Sequence, residues 1–349
     1  MNGGRALRLS NLFVLLVALF GLFFPLLLSN GAVVTYAIFT LIFVSLASAW
    51  NLLSGFSGYV SLGQASFYGI GAYAMAMVCQ SWHIATGGLS TFGVVPLAGL
   101  IAAAFSVPIG LIALRTRKHS FVVITIAFIF LLQLLAFNLQ GITQGSTGLA
   151  MPIPPWSGNS FNTPFYYAVF ALALGTCAIA YWVRHSKFGL GLLAIRDDED
   201  RALGFGVPAG LYKLAAFVLS AFLIGMAGAI DGYFTSYIYP QFVLNPTIDI
   251  TMAAMGFFGG LGTLAGPIVG ALVLEPVQQL LAVSYGDLSL VVFGAVLLAV
   301  VVFLPEGVVP TTSRYLRQAL ARGQSGQPAG GAAAAAAAPP PAEEVAGRP

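Results

Sequence analysis

Charge is what this sequence lacks most: Asp, Glu, Lys and Arg make up 7% of its 349 residues, against roughly 25% in a soluble domain. None of the four occurs between Arg8 and Arg115, and none between Lys118 and Arg184. A soluble protein of this length needs charge on its surface, so a soluble globular class is excluded. Cysteine is nearly absent as well. Cys79 and Cys177 both fall inside apolar segments without CxxC or Cys/His spacing, which excludes a disulfide framework or a zinc site and reads as two buried small hydrophobes. No Walker motif occurs and no GxGxxG follows a strand, so the chain has no nucleotide cradle of its own. The histidines, His83, His119 and His185, are scattered at segment ends and form no acid–base or metal cluster. With a formal net charge of +3 spread over loops, nothing indicates nucleic-acid binding.

What the chain has is apolar runs of about twenty residues, the length that spans a 30 Å hydrocarbon core as helix. They cover residues 12–28, 33–53, 61–79, 94–114, 121–139, 165–183, 214–230 and 288–304, with a glycine-interrupted tract at 250–283. The short alternating segments of a β-barrel are missing. The fold class is therefore all-α, a polytopic transmembrane bundle. The first run exceeds the apolar core of a signal peptide and is read as a retained helix.

Lys and Arg favour cytoplasmic loops. Starting with the N-terminus inside, Arg115, Arg117 and Lys118 fall inside, as does the loop 184–213, whereas the loops 80–93 and 140–164 fall outside and contain no Lys or Arg. Arg314, Arg317 and Arg322 require a cytoplasmic C-terminus, and parity then demands one hidden pass. As a single helix, residues 250–283 would be roughly 50 Å long, and they carry Gly256, Gly259, Gly260, Gly262, Gly266 and Pro267. Two short spans or a re-entrant pair satisfies parity, which predicts eight to ten transmembrane helices with at least one broken element. Residues 1–313 form the membrane domain and 314–349, rich in Gly, Pro and Ala, a disordered cytoplasmic tail.

Three segments carry candidate function. Residues 51–73, NLLSGFSGYVSLGQASFYGIGAY, mix small and polar residues into apolar sequence. Such a pattern serves close helix packing, or it frees backbone groups for a zwitterionic solute, as broken helices do in transporters. On the second reading Asn51, Ser54, Gly55, Ser57, Gly58, Ser61 and Gln64 line a substrate path, joined by Gly259, Gly260, Gly262 and Thr263 of the third segment, GFFGGLGTLAGP at 256–267. The second segment, 186–206, holds most of the chain's charge and suits either a solvated loop or a short amphipathic helix against a partner. Its consecutive Asp197, Asp198, Glu199 and Asp200 lack calcium-loop spacing and disfavour anionic lipid. Asp231, Asp249, Glu275, Asp287 and Glu306 are placed near segment ends. Ion-coupled carriers keep an ionisable group within the membrane, so this placement favours an external energy source.

At these same segments the sequence resembles the branched-chain amino acid ABC permeases, specifically the LivM-like member of the pair, from about Thr35 to Pro310. The matching stretches are residues 51–73, AIRDDEDRALGFGV at 194–207 with KLAAFVLSAFLIGMAGAI at 213–230, GGLGTLAGPIVGA at 259–271 and FLPEGVVP at 303–310. The resemblance implies a bacterial inner-membrane protein that is not itself an enzyme. It implies as partners a second permease subunit, a periplasmic binding protein and two cytoplasmic ABC ATPases, which bind the ATP and Mg. It further implies that Phe188, Gly189, Ala194, Ile195, Arg196, Glu199, Leu203 and Gly204 dock on an ATPase. Leu190, where the family usually has arginine, Arg201 and Asp231 depart from its pattern. Related permeases for urea and short amides share these motifs, so branched-chain amino acids and small amides both stand as substrates.

Overall fold

A backbone surrounded by hydrocarbon must bond to itself, and the computed structural model is helical through nearly all of the described part of the apolar runs. It describes residues 21–25, 30–84, 87–288, isolated positions between 291 and 298, and 307–315. The helices are α1 (Gly31–Ser57), α2 (Ala65–Ser81), α3 (Val95–Ala113), α4 (Lys118–Asn138), α5 (Gln140–Thr143) and α6 (Asn162–His185). They continue with α7 (Lys187–Asp197), α8 (Glu199–Gly204), α9 (Ala209–Thr235), α10 (Pro240–Val243), α11 (Pro246–Gly259) and α12 (Ala265–Tyr285). Among the described residues seven helical stretches are long and apolar enough to cross a membrane, and α2, at 17 residues, falls just short of that length. The runs expected at 12–28 and 288–304 lie largely outside the described residues, as does the tail. The chain divides into Met1–Val309 and Pro310–Pro349; of the second unit 310–315 are described, and they are helical.

Helices α1 and α9 form the centre. α1 packs on α6, α9 and α12, while α9 packs on α2 and α3. Close approach depends on small residues: a Cβ on Gly71 of α2 would stand 2.0 Å from the carbonyl oxygen of Gly225 on α9.

Loop contacts sort the two ends of the bundle. At one end, which we call the neutral end, β1 (Leu149–Ala150) pairs antiparallel with β2 (Tyr237–Ile238), Gln80 Nε2 donates to the Ala150 carbonyl at 3.3 Å, and Gly87 N donates to Ile153 O at 3.0 Å. At the opposite, basic end Lys118 Nζ donates to the Arg196 carbonyl at 3.1 Å, and Arg196 Nη1 donates to Gly55 O at 2.8 Å.

The hidden pass is present: the tract 250–283 is two helices, α11 and α12, packed together and joined at 260–264. Two expectations need correction. The run at 61–79 does not begin as helix, because 58–64 is irregular and α2 starts only at Ala65. Nor do all the acidic residues sit near segment ends. Glu275 lies halfway along α12 and is 5% exposed, and Asp249 lies halfway along the 20-residue span Pro240–Gly259 and is 1% exposed. Hydropathy counted from Ile250 missed this because α10 and the turn before α11 bring polar and proline-containing sequence into the same span.

Candidate functional site

α1 ends at Gly58, whose φ of +72° is left-handed and suits glycine. Beyond it the chain turns back alongside α1: Trp50 Nε1 donates to Ser61 O at 2.8 Å, and Ser61 N donates to Ser54 Oγ at 3.2 Å. Trp50 stands about 10 Å below the end of α1 at 1.5 Å per residue. On the other flank Leu62 N donates to Thr125 Oγ1 at 3.1 Å, within α4. Residues 58–64 thus enter the bundle as irregular backbone, covered by protein on both sides, the setting in which such backbone is tolerated at membrane depth.

The second irregular stretch, 260–264, is clamped to the first. Asn51 spends its whole amide on it, with Nδ2 donating to Thr263 O at 2.9 Å and Oδ1 accepting from Gly262 N at 2.9 Å. Thr263 Oγ1 accepts from Gly266 N at 3.0 Å and so closes the start of α12. Gly262 has φ +78°, and a Cβ there would sit 2.0 Å from Arg196 Nη1. The guanidinium occupies that space and bonds Gly55 O across the gap. Gly307, also left-handed, packs on the same link, since a Cβ there would meet Gly260 Cα at 2.4 Å.

The loop that supplies Arg196 is two short helices. Ser186 caps α7 by accepting from Gly189 N at 3.2 Å, and Asp198 caps α8 by accepting from Arg201 N at 3.0 Å. Leu192 and Ile195 are buried, whereas Leu190, Leu203 and Phe205 are exposed, the last at 89%. Glu199 turns inward: its Oε1 accepts from Lys213 Nζ at 2.6 Å, its Oε2 accepts from the Tyr59 hydroxyl at 2.5 Å, and Lys213 Nζ also donates to Tyr59 Oη at 3.1 Å. The Lys213 side chain is 3% exposed and Glu199 25%. Desolvation pushes the Glu199 carboxyl up, and the hydrogen bonds from Lys213 and Tyr59 with the charges of Lys213 and Lys118 more than offset it, leaving the group below the usual carboxylate range. Burial, then the hydrogen bond and charge of Glu199, raises the Tyr59 phenol. A cavity of about 390 Å³ opens beside these groups and is lined by Arg115, Arg117, Lys118 and His119.

A third feature lies deeper. Asp249 Oδ1 accepts from Gln64 N at 2.8 Å and from Ala65 N at 3.1 Å, so the carboxylate closes the N-terminus of α2 within the bundle.

Of the residues expected along a substrate path, Asn51, Ser54, Gly55, Gly58, Gly259, Gly260, Gly262 and Thr263 come together as the stitching of the two irregular stretches, whereas the Ser57 hydroxyl donates to Leu53 O within α1. Ser61 and Gln64 are also buried, yet their side chains have no hydrogen-bond partner among the described residues. Of the expected docking residues, Leu203 and Gly204 are exposed, Phe188 and Ala194 are half-buried, and Gly189, Ile195, Arg196 and Glu199 face the bundle. Sequence reasoning missed Tyr59, Lys213 and Asp249. A lysine five residues into a long apolar helix was the available signal for Lys213; Asn245 and Pro246 just before Asp249 were the signal for a break.

With this arrangement in view, the sequence profile described as "Branched-chain amino acid transport system / permease component" matches residues 32–301. The chain belongs to that family. It is 26% identical over 341 residues to the high-affinity branched-chain amino acid transport system permease protein LivM of Salmonella typhimurium, covering 90% of this chain and 78% of that one. To LivH of Escherichia coli it is 26% identical over 287 residues, covering 75% of this chain and 89% of the relative. A shorter likeness, 26% over 195 residues, joins it to an L-arabinose ABC transporter permease protein of Azospirillum brasilense, with 53% and 56% covered. No solved structure matches. The family and the seven apolar helices together make it a multi-pass membrane permease.

Proposed function

We propose that this chain is the membrane-spanning subunit of an ATP-driven importer for branched-chain or other hydrophobic amino acids. It sits in the bacterial inner membrane with its basic end in the cytoplasm. In this reading a second permease subunit completes the pathway, two ATPases bind ATP and Mg, and a periplasmic protein delivers the solute at the neutral end. The observation that carries the reading is the bonding of the 186–206 loop into the irregular backbone. Arg196 holds Gly55, and Glu199 holds Tyr59 and Lys213. A displacement of α7 and α8 by an ATPase therefore pulls directly on 55–62 and 260–263. Exposed Leu190, Leu203 and Phe205 favour partner docking over a merely solvated loop.

The test is reconstitution with the four partners. ATP-dependent leucine uptake is expected, and Arg196→Ala is expected to uncouple ATP hydrolysis from uptake while insertion persists. A binding protein that takes urea and ignores leucine overturns the substrate. The carboxylates of Asp249 and Glu275 at mid-span are the observation that favours a second reading, an ion-coupled carrier. Uptake driven by an ion gradient through this chain alone, without ATPases, decides for it.

A further inference from the structure

Asp249 is a carboxylate at mid-span, 1% exposed. Among the described residues the ion pairs are Arg201–Asp198 and Lys213–Glu199, so no cation balances it. Its Oδ1 is bound by two backbone N–H groups of the α2 N-terminus, while its Oδ2 has no hydrogen-bond partner. The segment around that N-terminus, residues 61–66, carries further orphaned groups: both polar atoms of the Gln64 side chain and the hydroxyls of Ser61 and Ser66, all on residues 0% exposed. Native proteins rarely leave buried polar atoms unpaired, and an ionisable group within the membrane marks a solute or ion pathway by default.

Sign decides the ligand. In transporters with broken helices, a half-helix N-terminus pointing to mid-membrane ordinarily receives an anionic group of the solute. Here that position is already filled by the chain's own carboxylate. What remains is Oδ2, an amide oxygen and two hydroxyls, a set that accepts hydrogen bonds and favours positive charge. We infer that Asp249, with Gln64 and Ser66, is a mid-membrane recognition site for a cationic hydrogen-bond donor, the ammonium group of the transported amino acid. The inference rests on the amino-acid reading above.

The experiment uses the complete importer in phosphatidylethanolamine–phosphatidylglycerol vesicles, with ATP inside and leucine, urea or arabinose outside. Asp249→Asn keeps an oxygen to close α2 and puts a donor nitrogen in place of Oδ2. It is expected to lower leucine uptake by about tenfold or more, the loss of one charge-assisted bond, with assembly and basal ATP hydrolysis retained. Unchanged leucine uptake in this variant overturns the inference and leaves Asp249 a helix cap. Should the variant fail to assemble, Gln64→Leu decides, because the Gln64 backbone rather than its side chain holds Asp249. Its uptake is expected to fall severalfold, and wild-type uptake in it overturns the site. Replacing sodium by choline separates the two sources of positive charge. Wild-type uptake is expected to be indifferent, and a sodium requirement assigns the site to an inorganic cation and overturns the ammonium. If the wild type moves urea or arabinose but not leucine, the amino-acid reading itself fails and the ammonium site with it. That outcome differs from a leucine importer in which Asp249→Asn is silent.

Discussion

Single side chains hold the irregular backbone of this permease in place, and each does so by a bond that no neighbour can replace. Asn51 satisfies one donor and one acceptor of the 260–264 link. Asn51→Ala leaves Gly262 N and Thr263 O buried and unpaired at about 1–3 kcal/mol each, and is expected to lower the melting temperature of the detergent-solubilised protein by several degrees. Gly262→Ala adds backbone strain of about 1–3 kcal/mol at φ +78° and evicts the Arg196 guanidinium. The expected result is a comparable loss of stability together with greater protease sensitivity of the 186–206 loop. Glu199 titrates below the ordinary carboxylate range. Its contribution is therefore complete above the unfolded value of about 4.3 and is lost as pH falls through the lower folded value. Amide exchange in 186–206, corrected for its intrinsic pH dependence, should stay flat from neutral pH to about pH 5 and rise below about pH 4.

At the scale of elements the ion pair ties α8 to the first turns of α9. Glu199→Gln removes one partner and strands the Lys213 ammonium, 3% exposed, in the bundle. Breaking a buried pair in this way costs about 3–5 kcal/mol, whereas replacing both members is often near neutral. Glu199→Gln with Lys213→Met is thus expected to restore most of the stability that Glu199→Gln loses, yet not the coupling of ATP hydrolysis to uptake. Thermal unfolding and uptake measured on the same three proteins separate the two effects. The helices themselves were legible from apolar runs and glycine positions, including the division of 250–283, because span length and backbone satisfaction are local demands. The start of α2 at Ala65 was not legible. Residues 61–64 are as apolar and small as a helix interior, and bonds to Trp50, Ser54, Thr125 and Asp249 hold them out of one.

For the whole molecule, contacts between loops distant in sequence define the two ends, and the distribution of Lys and Arg gives them their expected sides. Single cysteines introduced at Phe205 and at Ile153, both exposed and at opposite ends, are expected to react with a membrane-impermeant maleimide from the cytoplasmic and the periplasmic side respectively. Labelling of both from one side would overturn the orientation. The sequence by itself determined the solvent, the helical class, the family and the segments that matter, since scarcity of charge, run length and motif order need no knowledge of partners in space. The tertiary structure alone decided what those segments do to one another. The loop 186–206 reaches inward through Arg196 and Glu199, and two glycine-rich stretches far apart in the chain share one amide. The carboxylate of Asp249, which hydropathy placed at a segment end, closes a helix inside the bundle. Hydrogen bonds across long sequence separations set these relations, and a hydropathy pattern carries no record of them.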